Sequence, residues 1–401
     1  MNSRALFKKT FLTRLSLAIV VIIVCVALFE LYPSPQAVNE HFYDLLAFWS
    51  AFHFLQAGGN PYDSIALFEF QKLTRPSLVE PLIMRYPPFS LGLLSPLISL
   101  DYLSSSRLWL FFNLTAVGLA SILTVKFWSV KKQYIPCCML LAFFFFPVWR
   151  SLESGQLGVV LWLAFSGVFF LESKNKHFAV GLASLFLLLK PHLFLLFVPP
   201  ALLWTIKERA WRCVLSFVGG FTLLFLLTYF WFPSAYFDWV SSKDWGQNDP
   251  LATLATILRV LLLKLGYPLV SWPLWFFPLV GVIGVSAGLL FTKGDFSWKS
   301  KLPWLLPLSL AFSPYALPCD YALLAFLHVF FLKVIMENWN DVKVRNGALE
   351  LIMLNVVFFV CYDYRTPTLH ALYLLLVVVI WAFRFKGVDS KAPNATQESS
   401  P

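Results

Sequence analysis

The chain has 401 residues, of which 59% are hydrophobic and 13% charged, and its formal net charge is +10. So apolar a composition excludes an ordinary soluble globular domain. The basic residues fall in short clusters between apolar runs, the positive-inside pattern of a membrane protein rather than a nucleic-acid surface. Apolar runs long enough to cross about 30 Å of hydrocarbon recur along the chain. The fold class is therefore all-α and polytopic, because a helix satisfies its own backbone in lipid. The six cysteines (Cys25, Cys137, Cys138, Cys213, Cys319 and Cys361) show neither metal-ligand spacing nor a secreted disulfide framework, and read as small core residues.

Taken in order, Arg4, Lys8, Lys9 and Arg14 flank a first span at about Leu15–Leu31. A cleaved signal peptide is the rival reading, but Pro33-Ser34-Pro35-Gln36-Ala37 is a poor cleavage site. The stretch after it, 34–87, is expected on the outer face. Within it Asp44, Phe48, Ala51, Phe52 and Leu55 share one helical face, Gly58-Gly59-Asn60-Pro61 breaks that helix, and Asp63-Ser64 caps a second short one. Both helices are expected to lie in the membrane interface. Residues 88–100 are too short for a crossing and read as partial or re-entrant. Leu103–Val125 is a full span, followed by Lys126, Lys131 and Lys132 inside. Ile135–Trp149 leads out to Arg150-Ser151-Leu152-Glu153-Ser154-Gly155-Gln156, and Leu157–Leu171 returns to Lys174 and Lys176.

Two later segments carry charge at membrane depth. Phe178–Trp204 has Lys190-Pro191-His192 at its middle, and the cationic flanks on both sides require it to be a hairpin with those residues at its tip. Leu302–Lys333 is broken by Ser313-Pro314-Tyr315 and by Pro318-Cys319-Asp320-Tyr321, again between basic flanks. Both tips point to the side holding Asp44, and irregular backbone at that depth lines a cavity or is buried in protein. Between them, Val214–Phe232 and Trp272–Phe291 read as spans, with an outer helix near Leu251–Leu265. Gly347–Cys361 and Leu369–Phe385 close the array. The expected total is roughly ten to twelve membrane segments in one integral domain, 1–386, with both termini inside and a disordered tail, 387–401.

From the residues alone, alternatives stay open. Asp44 reads equally as a water-facing residue of an interfacial helix, Lys190 as a side chain snorkelling to the headgroups, and Asp320 as half of a structural ion pair. His192 and His53 read as satisfied core or interface histidines. A secondary transporter or flippase also uses broken helices around a midplane site, although no two halves with matching motifs occur here. A non-catalytic subunit of an envelope assembly pathway is a third class.

The ordered set of Asp44, Gly-Gly-Asn-Pro-Tyr-Asp (58–63), Arg85-Tyr86-Pro87-Pro88, Gly155-Gln156, Lys190-Pro191, Ser313-Pro314-Tyr315 and Asp320-Tyr321 resembles glycosyltransferase family 87. These are polyprenol-phosphate-dependent enzymes of the GT-C fold, related to mycobacterial mannosyltransferases. One departure is that Leu157-Gly158 follows Gln156, where relatives commonly carry a small polar residue. The resemblance implies transfer of a hexose such as mannose from a lipid-phosphate donor to a glycolipid or polysaccharide acceptor. It implies an inverting, metal-independent displacement without a cofactor, on the outer face of a bacterial inner membrane. It makes Asp44 the catalytic base. It also places Arg85, Lys190 and His192 at the donor phosphate, and Tyr62, Asp63, Tyr86, Gln156, Tyr315, Asp320 and Tyr321 at the sugar or acceptor.

Overall fold

The structure, a computed structural model, describes residues 31–32, 42–242, 253–267, 272–291, 296–360 and 367–385. The expected first span up to residue 30, the basic N-terminal flank and the tail lie outside them, as do the polar stretches 243–252 and 361–366. Among the described residues every regular element is helical. In order these are α1 (Tyr43–Gln56), α2 (Ser64–Thr74), α3 (Pro88–Ile98), α4 (Tyr102–Phe127), α5 (Ile135–Phe144), α6 (Phe146–Ser154), α7 (Gly158–Glu172) and α8 (His177–Ser184). Then come α9 (Val198–Lys207), α10 (Trp211–Trp231), α11 (Pro233–Ser241), α12 (Leu254–Lys264), α13 (Pro273–Phe291), α14 (Trp298–Phe312), α15 (Ala325–Glu337), α16 (Val342–Val360) and α17 (Pro367–Ile380).

Among the described residues four helical segments are long and apolar enough to cross a membrane: Tyr102–Phe127, Trp211–Trp231, Pro273–Phe291 and Pro318–Glu337. A fifth forms if α5 and α6, bent by 54° at Phe145, act as one span. Five shorter apolar helices accompany them, among them α3 and α7. The chain is thus an all-α integral membrane protein. At 11 residues, α3 covers only about 16 Å at 1.5 Å per residue, so it is the partial segment expected at 88–100.

Both broken segments are hairpins. The first runs through α8 and a 3-10 turn, breaks at Lys190, and returns through a 3-10 turn and α9. The His177 and Trp204 rings at its two ends lie 5.5 Å apart. The second comprises α14, an irregular stretch at 313–317, a 3-10 turn (Pro318–Leu324) and α15. Proline sets both breaks: Pro191 and Pro318 each open a 3-10 turn at its first position, where a missing N–H costs nothing. The tips are tied to each other, since Ser309 Oγ donates to Leu193 O at 2.6 Å. At the centre, α7 packs on α4 and on the 318–324 turn. Thr124 and Ser166 join α4 to α7 at 2.9 Å, and Trp162 Nε1 donates to Thr124 Oγ1 at 3.3 Å, the polar cross-links that help hold helices together in lipid.

Helix α1 is well covered by protein: Leu45, Leu46, Ala47, Phe48, Ser50, Ala51, Phe52 and Leu55 are all buried. Helices α2, α3, α4 and α6 pack around it. The loop after α2 adds to this cover: Gln71 bonds Leu82 through both its N–H (2.8 Å to Leu82 O) and its carbonyl (3.0 Å from Leu82 N). Residues 150–154, to which the segment from Ile135 leads, form the end of α6. Phe145, in an extended conformation, separates α5 from α6, and Pro147 sits in the first turn of α6, where a missing N–H costs nothing.

Candidate active site

Four segments distant in sequence meet at the two hairpin tips. Lys190, at the break of the first hairpin, is 1% exposed, and Asp320, in the second, is 0% exposed. Burial to that degree demands a partner for each charge, and Lys190 Nζ lies 2.6 Å from Asp320 Oδ1. The other carboxylate oxygen, Oδ2, accepts from Leu317 N at 2.9 Å, which fixes the turn that carries it.

Gln156 links this pair to the rest. Its Oε1 accepts from Lys190 Nζ (3.2 Å), Tyr86 OH (3.4 Å) and Leu157 N (3.3 Å). That leaves the amide N–H groups to face Asp44, whose carboxylate has Gln156 and Ser154 as hydrogen-bonding neighbours. Two glycines allow the approach. Gly155 has φ +72°, and a Cβ there would stand 2.9 Å from Leu45 Cβ, so only glycine lets α1 lie against this turn. A Cβ on Gly158 would stand 2.2 Å from Cys319 O, so the 318–324 turn closes against α7 for the same reason. The backbone completes the junction where Phe42 N donates to Glu153 O at 2.9 Å.

Asp44 is half-buried by surface area, with protein packed closely around it. Burial raises its carboxyl from an ordinary 3.8 to about 6. Lys190 and the Gln156 hydrogen bond oppose the rise, and the negative Asp320 adds to it. Asp44 is thus largely ionised at neutral pH and markedly more basic than a surface aspartate. Tyr86, outside the helical spans, has its phenol pushed up by burial and stays a hydrogen-bond donor.

The remaining expected residues divide. Tyr86 is at the centre: its ring lies 4.6 Å from Phe48, and Lys190 Nζ stands 5.7 Å above it. His192 and Tyr315 lie together across the two tips, ring centroids 3.8 Å apart. Among the described residues His192 Nε2 is buried with no hydrogen-bond partner. Tyr62 braces the loop from behind, donating to Tyr86 O at 2.8 Å. Arg85 is half-buried, and its carbonyl accepts from Trp239 Nε1 at 3.4 Å, which ties its backbone to α11. Asp63 is exposed and caps α2, its Oδ1 accepting from Ile65 N and Ala66 N, both at 3.1 Å. Tyr321 packs into the core against Phe358 and Tyr373, with centroids at 5.8 and 6.2 Å. Adjacent residues on a 3-10 turn point about 120° apart, so Tyr321 faces away from the ion pair that its neighbour Asp320 makes. Sequence reasoning missed Ser154 as a neighbour of Asp44 and Gly158 as the contact to Cys319. The Gly-Gln-Leu-Gly run was the available signal for both.

A model of glycosyltransferase family 87 matches residues 85–292, just over half of the chain. The chain belongs to glycosyltransferase family 87. Within the matched region lie Tyr86, Gln156 and Lys190; Asp44 and Asp320 lie on either side of it and are brought to it by the fold. No curated protein and no solved structure matches the chain.

Proposed function

We propose that this family 87 glycosyltransferase moves a hexose, mannose by the family's habit, from a polyprenyl-phosphate sugar to a hydroxyl of an envelope glycolipid or polysaccharide. Asp44 serves as the general base. The observation that carries the reading is the placement of Asp44: a half-buried carboxylate held beside Gln156 and the Lys190–Asp320 pair, its carboxyl raised by burial to about 6. A base near the working pH takes a proton with the greatest driving force consistent with being ionised.

In the proposed step the acceptor oxygen attacks the anomeric carbon and its proton passes to Asp44. The bond from the anomeric carbon to the phosphate oxygen breaks on the opposite face, and polyprenyl phosphate leaves with the bonding pair. The product has the inverted configuration. Charge grows on the departing phosphate, and preorganised donors there lower the barrier. Lys190 has three N–H donors, and Asp320 and Gln156 engage two of them. His192, with Nε2 unspent, stands two residues further along the same tip. Gln156, Tyr86 and Tyr315 are the polar and aromatic groups available to sugar hydroxyls.

A lipid donor also needs somewhere to lay its chain. An apolar cleft of about 960 Å³ runs between α13 and α14, reaching from Leu196 and Phe312 near the tips down to Lys299 and Lys301. The reading assigns the active site to the extracytoplasmic side of a bacterial inner membrane, following the placement of the basic clusters, and invokes no metal or cofactor. The test uses purified protein in nanodiscs with a panel of polyprenyl-phosphate sugars and envelope glycolipids. Release of free polyprenyl phosphate with one donor supports the reading and names the sugar. No release with any donor and acceptor contradicts it.

A further inference from the structure

A second polar cluster lies behind the Asp320 turn. His328, 3% exposed within α15, has Nδ1 2.8 Å from Leu324 O. A carbonyl accepts only from an N–H, so Nδ1 carries the proton and Nε2 is the acceptor. Facing Nε2 are Asn355 Nδ2 of α16 at 3.2 Å and Tyr373 OH of α17 at 3.4 Å. The single Tyr373 O–H proton goes to Asn355 Oδ1 at 3.1 Å, and Asn355 Nδ2 donates to Leu351 O at 2.7 Å. The network closes on itself with no net charge, the form in which polar groups are tolerated inside an apolar span.

The cluster also touches Phe145, Leu351 and Phe358, and two of its contacts end on the turn that carries Asp320. Leu324, which accepts the His328 proton, is the last residue of that turn. Tyr321, the residue after Asp320, lies face to face with Tyr373 at 14° between ring planes. We propose that His328, Asn355 and Tyr373 are positioning residues that hold the Pro318–Leu324 turn, and through it the Asp320 carboxylate, in register with Lys190. The catalytic consequence rests on the function proposed above; the structural one does not.

The test compares His328→Leu with His328→Asn in nanodiscs. An asparagine in a helix of this protein bonds the carbonyl four residues back, as Asn113 does to Trp109 O at 2.9 Å and Asn355 to Leu351 O at 2.7 Å. His328→Asn therefore keeps the bond to Leu324 O, and His328→Leu loses it. Amide exchange of residues 319–324 is expected to quicken by about tenfold in His328→Leu, with other helices unchanged. In the same variant kcat is expected to fall by about tenfold with both KM values kept. His328→Asn should restore exchange and kcat together. Unchanged exchange at the turn, a uniform quickening of every helix, equal damage in both variants, or quickened exchange with kcat intact would overturn the proposal. If the wild type transfers no sugar, the function fails and the exchange comparison alone decides the positioning role.

Discussion

Lys190 and Asp320 are 130 residues apart in sequence, and their side chains meet at 2.6 Å with almost no exposed surface on either. Removing one member strands the other in a low-dielectric interior, at a cost of about 3–5 kcal/mol. Lys190→Met should therefore lower the thermal midpoint sharply, and adding Asp320→Asn to it should recover part of the loss while keeping the acceptor for Leu317 N. Neither variant should transfer sugar. Equal melting losses in the single and double variants would show that the pair is not electrostatically coupled.

The raised Asp44 carboxyl gives activity and stability opposite slopes with pH. The folded chain binds the Asp44 proton more tightly (about 6 against 3.8), so protonation favours folding. This contribution is complete below about 3.8 and is lost as pH rises through about 6. A base must be ionised, so kcat/KM should instead rise with pH through about 6 and then level. Asp44→Asn should remove the stability slope and be more stable than wild type at pH 7 by on the order of 2 kcal/mol. Denaturation and rate profiles between pH 4.5 and 8, in roughly half-unit steps, check both limbs.

The glycines flanking Gln156 should tolerate no side chain. Gly158→Ala would drive a methyl group into Cys319 O, and Gly155→Ala adds strain from φ +72° to a clash with Leu45. Each should cost about 1–3 kcal/mol and most of the activity. Gly167, in the same helix as Gly158, has nothing within 4 Å of where a Cβ would sit, so Gly167→Ala serves as the neutral control. Activity retained in Gly158→Ala would mean that the contact between α7 and the Asp320 turn is dispensable.

Asp63 should behave as a cap. Asp63→Ala should cost about 1 kcal/mol through loss of the bonds to Ile65 N and Ala66 N, and Asp63→Ser should keep most of that. Donor KM should be unchanged in both. A large rise in donor KM in both variants would make Asp63 a substrate contact after all.

Much of this architecture was legible in the sequence because charge at membrane depth is so costly. Lys190 directly precedes Pro191 and Asp320 follows Pro318 by two residues, each inside an apolar run, and basic flanks on both sides leave a hairpin as the consistent path. The meeting of both tips with the Asp44 helix followed from the same reasoning. The partner chosen by each side chain was not legible. Asp320 read equally well as substrate contact or ion pair, because local sequence does not say which segment will face it across 130 residues. The direction in which Tyr321 packs was not legible, because a pattern of motifs does not reveal the turn type, and a 3-10 turn sends neighbours to different faces. The burial of α1 was hidden as well, since its cover is four helices from other parts of the chain, with a loop added whose packing is set by one glutamine, Gln71.

The most direct measurement of the central claim is transfer by Asp44→Asn against wild type, with the active donor saturating and folding matched by melting. The account predicts that the wild type releases polyprenyl phosphate and forms the glycosylated acceptor, while Asp44→Asn binds donor with near-normal affinity and turns over at least about a hundredfold more slowly. Equal turnover by the two proteins would contradict it and place the base elsewhere.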